Sequence, residues 1–138
     1  MAAIRPEVSV KNKYWIDKHR FYELKHYCMQ YVTWKRTYNA IDELSMSSSA
    51  FDRMPSGNTV SDLTAKYAIR KAHYAEKIGM VEKAAMAADK DLYIYILKAV
   101  TEGLSYTYLQ TRLEIPCSRD TYYDRYRRFF WLLSELRD

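Results

Sequence analysis

Glycine, proline and cysteine are all scarce in this chain. It has three glycines, three prolines and two cysteines among 138 residues. An all-β sandwich or barrel needs a turn about every 8–12 residues, so this composition excludes those classes and predicts a mostly helical protein. Cys28 and Cys117 belong to no CxxC pair. The sequence therefore predicts no structural disulfide and no cysteine-based metal site.

Long hydrophobic runs are also missing. No apolar run approaches the roughly 18 residues of a membrane span, and Met1–Pro6 lacks the hydrophobic core of a signal peptide. We therefore expect a cytoplasmic protein with no membrane partner. The net charge of +5, with 49% hydrophobic and 28% charged residues, is ordinary for a globular chain and predicts one domain, or a domain with a small appendage.

Motifs for catalysis and metal binding are absent as well. The three histidines, His19, His26 and His73, are scattered, and there is no HExxH motif. Gly103 has no glycine neighbours that could cradle a phosphate, and no GxSxG nucleophile motif occurs. Cys28 and His26 are two residues apart, so they point to different helix faces. We predict that the protein is not an enzyme and holds no metal and no cofactor.

Two long amphipathic helices are predicted in the first two thirds of the chain, because apolar residues recur there at gaps of three and four. The first, between Lys13 and Glu43, has this stripe: Phe21, Leu24, Cys28, Tyr31, Trp34, Tyr38 and Ile41. The second starts at a cap at Ser61–Asp62 and has this stripe: Leu63, Tyr67, Tyr74, Ile78, Val81, Ala85 and Ala88.

The segment between these helices is rich in small polar and turn-forming residues. Ser45–Ser49 and Met54–Asn58 predict a linker or a mobile connection. A loop of about 15–18 residues lets the helices fold back as an antiparallel hairpin with facing stripes, although the same stripes could pair between two chains. We assign residues 13–88 to this hairpin, with its Ser/Pro/Gly loop near 45–60, and residues 89–138 to a second domain.

Residues 89–138 have the outline of a helix-turn-helix. Caps and breakers bound three helices: Asp91–Val100 between Asp89 and Gly103, Tyr106–Leu113 after Ser105, and a last helix from Ser118 to about Arg137. Pro116 interrupts the chain before the last helix because it lacks a backbone N–H. The alternation in Tyr93–Ile96 is typical of a strand, but no partner strand exists elsewhere. The fold class is therefore all-α: a long helical hairpin followed by a three-helix unit.

The last helix has two different sides when it is projected at about 100° per residue. The core side holds Tyr122, Tyr126, Phe129, Leu133 and Leu136, with Phe130 at its margin. The other side offers arginine, tyrosine and short polar groups, which suit a major-groove reader. The candidates for contacts with base edges are Arg119, Asp120, Tyr123, Asp124 and Arg127. The candidates for contacts with phosphates are Lys98, Arg112, Arg125 and Arg128.

Plainer interpretations of the same residues stay open. A charged stripe on a helix is usually a solvated face, and Trp131 could pack against helix one instead of being exposed. Cys117 precedes a helix start, where the backbone dipole could lower the pKa of its thiol, but burial at the turn explains it better.

The C-terminal part of the chain resembles a known family. Within Leu97–Leu133, the segments Gly103–Leu109, Ile115–Tyr123 and Arg127–Phe130 are similar to the C-terminal part of small phage transcriptional regulators of the RinA/ArpU type. Those regulators in turn look like region 4 of sigma-70 factors. Further segments resemble phage and prophage proteins of this size: Tyr22–Tyr31, Trp34 and Met54–Thr64. The turn Leu113–Ser118 departs from the common pattern, with Glu in place of Gly and two extra residues.

This resemblance implies a regulator of phage genes that binds double-stranded DNA in the cytoplasm of a bacterial host. Ser118 would start the recognition helix, and host RNA polymerase or another host protein is a further candidate partner. Two other functions stay open. One is a protein-binding inhibitor of a host enzyme, acting in host takeover or against host defence. The other is a small-terminase-like packaging protein, which would be a homo-oligomer.

Overall fold

The computed structural model describes residues 11–51 and 57–138, and it gives side-chain environments for residues 11–44 and 62–138. In these ranges all regular structure is helical and there is no strand, which confirms the all-α class. Six helices follow one another: α1 Lys18–Met29, α2 Tyr31–Phe51, α3 Gly57–Ala88, α4 Tyr93–Glu102, α5 Tyr106–Leu113 and α6 Arg119–Arg137. None of the described helices is both long enough and apolar enough to cross a membrane.

The first predicted helix is two helices in the structure. α1 begins only at Lys18, where the Asp17 carboxylate caps it by accepting a hydrogen bond from the N–H of His19 at 3.0 Å. At Gln30 the backbone N–H bonds to the carbonyl of Tyr27, three residues back, at 3.2 Å. This tighter bond interrupts the i to i−4 ladder, so the prediction of one continuous helix from residue 13 to residue 43 was wrong.

The predicted linker is shorter than the composition indicated. α2 continues through the serine-rich segment to Phe51, and α3 already begins at Gly57, four residues before the predicted cap at Ser61. Serine lowers helix stability by only a few tenths of a kcal/mol per residue, so a run of serines does not by itself end a helix. The predicted turn residues Met54–Ser56 lie outside the described residues. A loop of about 15–18 residues is therefore ruled out.

The chain forms two compact units. The first combines residues up to Tyr31 with Met80–Asp138, and the second is Val32–Gly79. This division by packing differs from the predicted domains, residues 13–88 and 89–138, which stay a prediction. The first unit contains α1, the end of α3, and α4 to α6.

α4 is the central helix of the first unit, as its nearly all-apolar sequence predicted. It packs against α1, α5 and α6, and α1 also contacts α6. Phe21 of α1 meets Phe130 of α6 edge to face, with ring centroids 5.1 Å apart. Both rings are buried, and burial of each such side chain stabilises the fold by about 1.5–3 kcal/mol. α4 ends at Gly103, whose φ of 71° is the left-handed conformation that glycine favours at helix ends.

The second unit is built from α2 and most of α3. Lys77 lies over the ring of Trp34, 5.4 Å from its centroid, and Lys71 forms an ion pair with Asp42. These contacts pair rising residue numbers in α2 with falling numbers in α3, so the two helices run in opposite directions there. Leu63, predicted on the buried stripe, is 41% exposed, because two helices alone bury only a narrow seam.

Candidate nucleic-acid interface

The turn between α5 and α6 is held by specific contacts. Ile115 is buried, and its N–H donates to the carbonyl of Leu109 at 3.1 Å. The hydroxyl of Tyr106 donates to the carbonyl of Cys117 at 2.8 Å. The helices end at Leu113 and restart after Ser118, as the Pro116 signal predicted.

Glu114 lies directly after α5, at the position where the common helix-turn-helix sequence pattern has glycine. Its backbone has φ 53° and ψ 47°, which is the left-handed conformation. Among the described residues, Glu114 is the one non-glycine residue with a positive φ. The sequence departs from the common helix-turn-helix pattern here, but the backbone adopts the shape that a glycine would take.

The start of α6 lies in solvent. Ser118 caps the helix, because its hydroxyl oxygen accepts a hydrogen bond from the N–H of Thr121 at 3.2 Å. Asp120 sits in the first turn, where a negative charge complements the helix dipole. Arg119 and Asp120 are both exposed. The predicted cap and helix start are confirmed.

The predicted core side of α6 is buried for most of its residues. Tyr122, Phe129 and Leu133 are fully buried, whereas Tyr126 and Leu136 are half-buried. Phe130, expected at the margin, is fully buried as well. The burial of Phe130 has a tertiary cause: Phe21 of α1 packs against it, so the buried sector of α6 is wider than the helix pattern alone implies.

The candidates for base-edge contacts divide into two groups. Arg119 and Asp120 are exposed, and Tyr123 is half-buried beside them. The guanidinium carbon of Arg119 lies over the Tyr123 ring, 5.6 Å from its centroid. The other two candidates, Asp124 and Arg127, are half-buried. The Nε atom of Arg127 is buried and has no hydrogen-bond partner among the described residues.

Arg125, a phosphate candidate, is engaged inside the protein. Its Nε donates to Asp89 at 2.9 Å, and its Nη1 donates to Asp124. Asp89 also accepts hydrogen bonds from the N–H groups of Asp91 and Leu92 at 2.8 and 2.9 Å. Arg125 therefore joins α6 to the turn before α4. Its role in binding a phosphate, and that of Asp124 at a base edge, stay predictions.

Two of the three remaining phosphate candidates are exposed to solvent. Arg112, in the last turn of α5, is exposed, and Arg128 is half-buried. Lys98 is exposed, with its Nζ 3.8 Å from Glu102 in a loose ion pair. Arg112 and Arg119 thus place two exposed cations on the two sides of the turn.

A group of contacts between α1 and the end of α6 was missed from the sequence. Arg20 donates from Nε to the hydroxyl of Ser134 at 3.0 Å, and from Nη2 to the carbonyl of Ser134 and to Asp138. Glu23 accepts from Arg20 at 2.8 Å and from Arg137 at 2.7 Å. Arg20 and Ser134 are 114 residues apart in the chain, so no local sequence pattern could predict this contact.

Trp131 and Cys117 both lie in packed surroundings. Trp131 packs against Tyr14, just before α1, with ring centroids 6.0 Å apart. Burial, and then the charge of Asp89, raise the pKa of the Cys117 thiol, which favours the preferred interpretation, burial at the turn, over a pKa lowered by the helix dipole. Cys28 is fully buried, and burial raises its pKa too. Within the described part of the chain, no group of His, Cys, Asp and Glu could hold a metal ion.

Comparisons with protein-family models, with curated proteins and with solved structures give no match for this chain. The similarity to RinA/ArpU-type regulators, and the roles of residues that it implies, therefore stay predictions.

Proposed function

We propose that the protein is a binding protein and not an enzyme. In this proposal it is a phage or prophage transcriptional regulator that binds duplex DNA through α4, α5 and α6. In this proposal α5, the turn and α6 act as a helix-turn-helix, α2 and α3 form the long N-terminal hairpin, and host RNA polymerase is a further partner. The observation that carries the proposal is the fixed turn followed by a solvent-exposed helix start with Arg119 at its first position.

The dimensions and charges of this region support DNA as the ligand. The major groove of B-DNA, about 12 Å wide, admits an α-helix, and α6 is 19 residues long. Its C-terminal half is anchored by Arg20 and by Phe21, which leaves the N-terminal turn to approach a ligand. Arg112 and Arg119 can supply positive charge to the two sides of a groove, in a chain whose net charge is +5.

The proposed roles follow from exposure. Arg119 and Asp120 are the best placed for base edges, because both are exposed. Tyr123 and Arg127 are half-buried further along α6, and Asp124 accepts a hydrogen bond from Arg125. For phosphates, the exposed Arg112 and Lys98 are better placed than Arg128 and Arg125.

The proposal is tested by titrating long fragments of bacterial and phage DNA with the protein over a series of salt concentrations. Each phosphate that the protein neutralises contributes about 0.9 to the slope of log K against log salt. Arg112→Ala should therefore flatten this slope by about that amount on every sequence. Arg70→Ala, at an exposed arginine of α3 in the second unit, is the matched control and should leave the slope unchanged. Absence of binding at low salt would refute the proposal.

A second candidate function is favoured by the surface of the second unit. Large apolar side chains are exposed there: Val32, Leu44, Leu63 and Ile69, of which Ile69 is 71% exposed. Where such side chains form one contiguous apolar patch they mark a protein-binding surface, and on this basis the hairpin is a candidate to bind and inhibit a host enzyme. A pull-down from host lysate after nuclease treatment tests this. Capture of one host protein that Ile69→Asp abolishes would favour inhibition, and loss of all partners with the nucleic acid would exclude it.

A further inference from the structure

Arg119 is held in place without a carboxylate. It is the first residue of α6, it is exposed, and the described residues offer it no ion pair. Its guanidinium carbon lies 5.6 Å from the centroid of the Tyr123 ring, within the range of a cation–π interaction, about 6 Å. A guanidinium that packs against a ring keeps its N–H donors free for a ligand, whereas a guanidinium bound to a carboxylate already uses some of them in hydrogen bonds.

The Tyr123 ring is itself fixed by other rings. Its centroid is 5.2 Å from that of Tyr122, 6.1 Å from that of Tyr106 and 6.4 Å from that of Tyr126. Tyr122 is fully buried, and Tyr106 donates to the carbonyl of Cys117 in the turn. The Tyr123 ring that supports Arg119 is thus held by the same contacts that fix the position of the start of α6.

We propose that Tyr123 is a positioning residue that holds the Arg119 guanidinium ready to read a guanine. The free N–H donors of Arg119 match the O6 and N7 acceptors that guanine presents in the major groove. Tyr123 does not contact a base itself, in contrast to its role as a base-edge candidate. A long arginine side chain loses rotamer entropy when it is ordered on binding, and holding it in place in the free protein lowers that cost. This inference rests on the proposed function.

The test begins with selection of bound duplexes from a random-sequence DNA library by the wild-type protein. We expect one strongly preferred guanine. Its replacement by 7-deazaguanine, which lacks N7, should weaken binding about 10-fold. Arg119→Lys keeps the charge but loses the planar fork, so it should lose the preference for this guanine by about 10-fold while binding to unrelated duplexes changes less than 2-fold.

Variants of Tyr123 separate a positioning role from direct contact. Tyr123→Phe keeps the ring and should retain the preference within about 2-fold. Tyr123→Leu keeps apolar volume without a π face, and it should lose the preference about as much as Arg119→Lys. In the Arg119→Ala background, Tyr123→Leu should have no further effect on the preference, because the two residues act as one unit.

The outcomes distinguish the two proposals. If the wild-type protein selects no duplex at low salt, DNA binding itself fails. If it selects duplexes but Arg119→Lys keeps the guanine preference, the inference alone fails. It also fails if Tyr123→Leu weakens the preference equally with and without Arg119. If Tyr123→Leu proves unstable in thermal unfolding, Tyr123→Met, which also lacks a π face, takes its place with the same expected loss of the guanine preference.

Discussion

The carboxylate of Asp89 joins three parts of the first unit. Burial opposes its charge and raises its pKa, but the N–H groups of Leu92 and Asp91 and the guanidinium of Arg125 outweigh burial. The pKa of Asp89 is therefore held below its ordinary value of 3.8. A group whose pKa is lower in the folded state stabilises the fold above its unfolded pKa, and this contribution is lost as the pH falls through the folded pKa.

We therefore expect the free energy of unfolding to fall as the pH drops below about 4, with part of this loss due to Asp89. Asp89→Asn should lower stability at pH 7 and flatten the acid limb, because the amide has no charge to lose. Asp91→Asn, at an exposed residue of the same turn, is the control and should keep the wild-type limb. Urea unfolding between pH 7 and pH 2.5 measures this. An unchanged acid limb in Asp89→Asn would contradict the assignment.

At the scale of single elements, the end of α5 carries backbone strain. Glu114 is left-handed at φ 53°, a conformation that costs a residue with a Cβ about 1–2 kcal/mol. Glycine adopts this conformation without strain. It also raises the conformational entropy of the unfolded chain, and this offsets part of the stability gained by removing the strain. Glu114→Gly should therefore stabilise the protein by up to about 1 kcal/mol.

A matched control for this prediction lies in the same helix. Gln110 is exposed in the interior of α5, so Gln110→Gly should destabilise by about 1 kcal/mol through helix propensity alone. Opposite signs for the two variants in urea unfolding are the expected result. A loss of stability in both would mean that Glu114 makes a favourable contact that compensates its strain.

At the scale of the whole molecule, the contacts of Arg20 connect the first helix of the first unit with its last. Arg20 makes a fork of hydrogen bonds to Ser134 and Asp138 with a side chain that is 24% exposed. Hydrogen bonds to charged groups contribute about 1.5–3 kcal/mol when they are well shielded, and less where solvent screens them.

Arg20→Ala should accordingly destabilise the protein by about 1–2 kcal/mol, and Arg20→Lys should recover only part of this loss because it lacks the fork. Lys18→Ala, at an exposed residue of α1, is the control and should change stability by less than about 0.5 kcal/mol. Guanine preference should be the same in all three variants. A selective loss of DNA specificity in Arg20→Ala, with stability unchanged, would contradict a purely structural role.

The sequence by itself determined the helical class and most of the boundaries in the C-terminal third. Ser105 and Ser118 cap α5 and α6 and Gly103 ends α4, where the sequence predicts them. These signals act within one helical turn, so they can be read without knowledge of the fold. The same locality identified Arg119 and Asp120 as exposed candidates at the start of α6.

Tertiary structure decided the rest, because the deciding partners are far apart in the chain. No local pattern shows that Arg125 meets Asp89, or that Arg20 reaches Ser134 across 114 residues. Nor does composition reveal the interruption at Gln30, since each local preference there is weak. The sequence thus predicted the exposed start of α6, but packing left the later candidates, Tyr123, Asp124 and Arg127, half-buried. Packing also determined that Arg125 is bound to Asp89 while Arg119 is exposed.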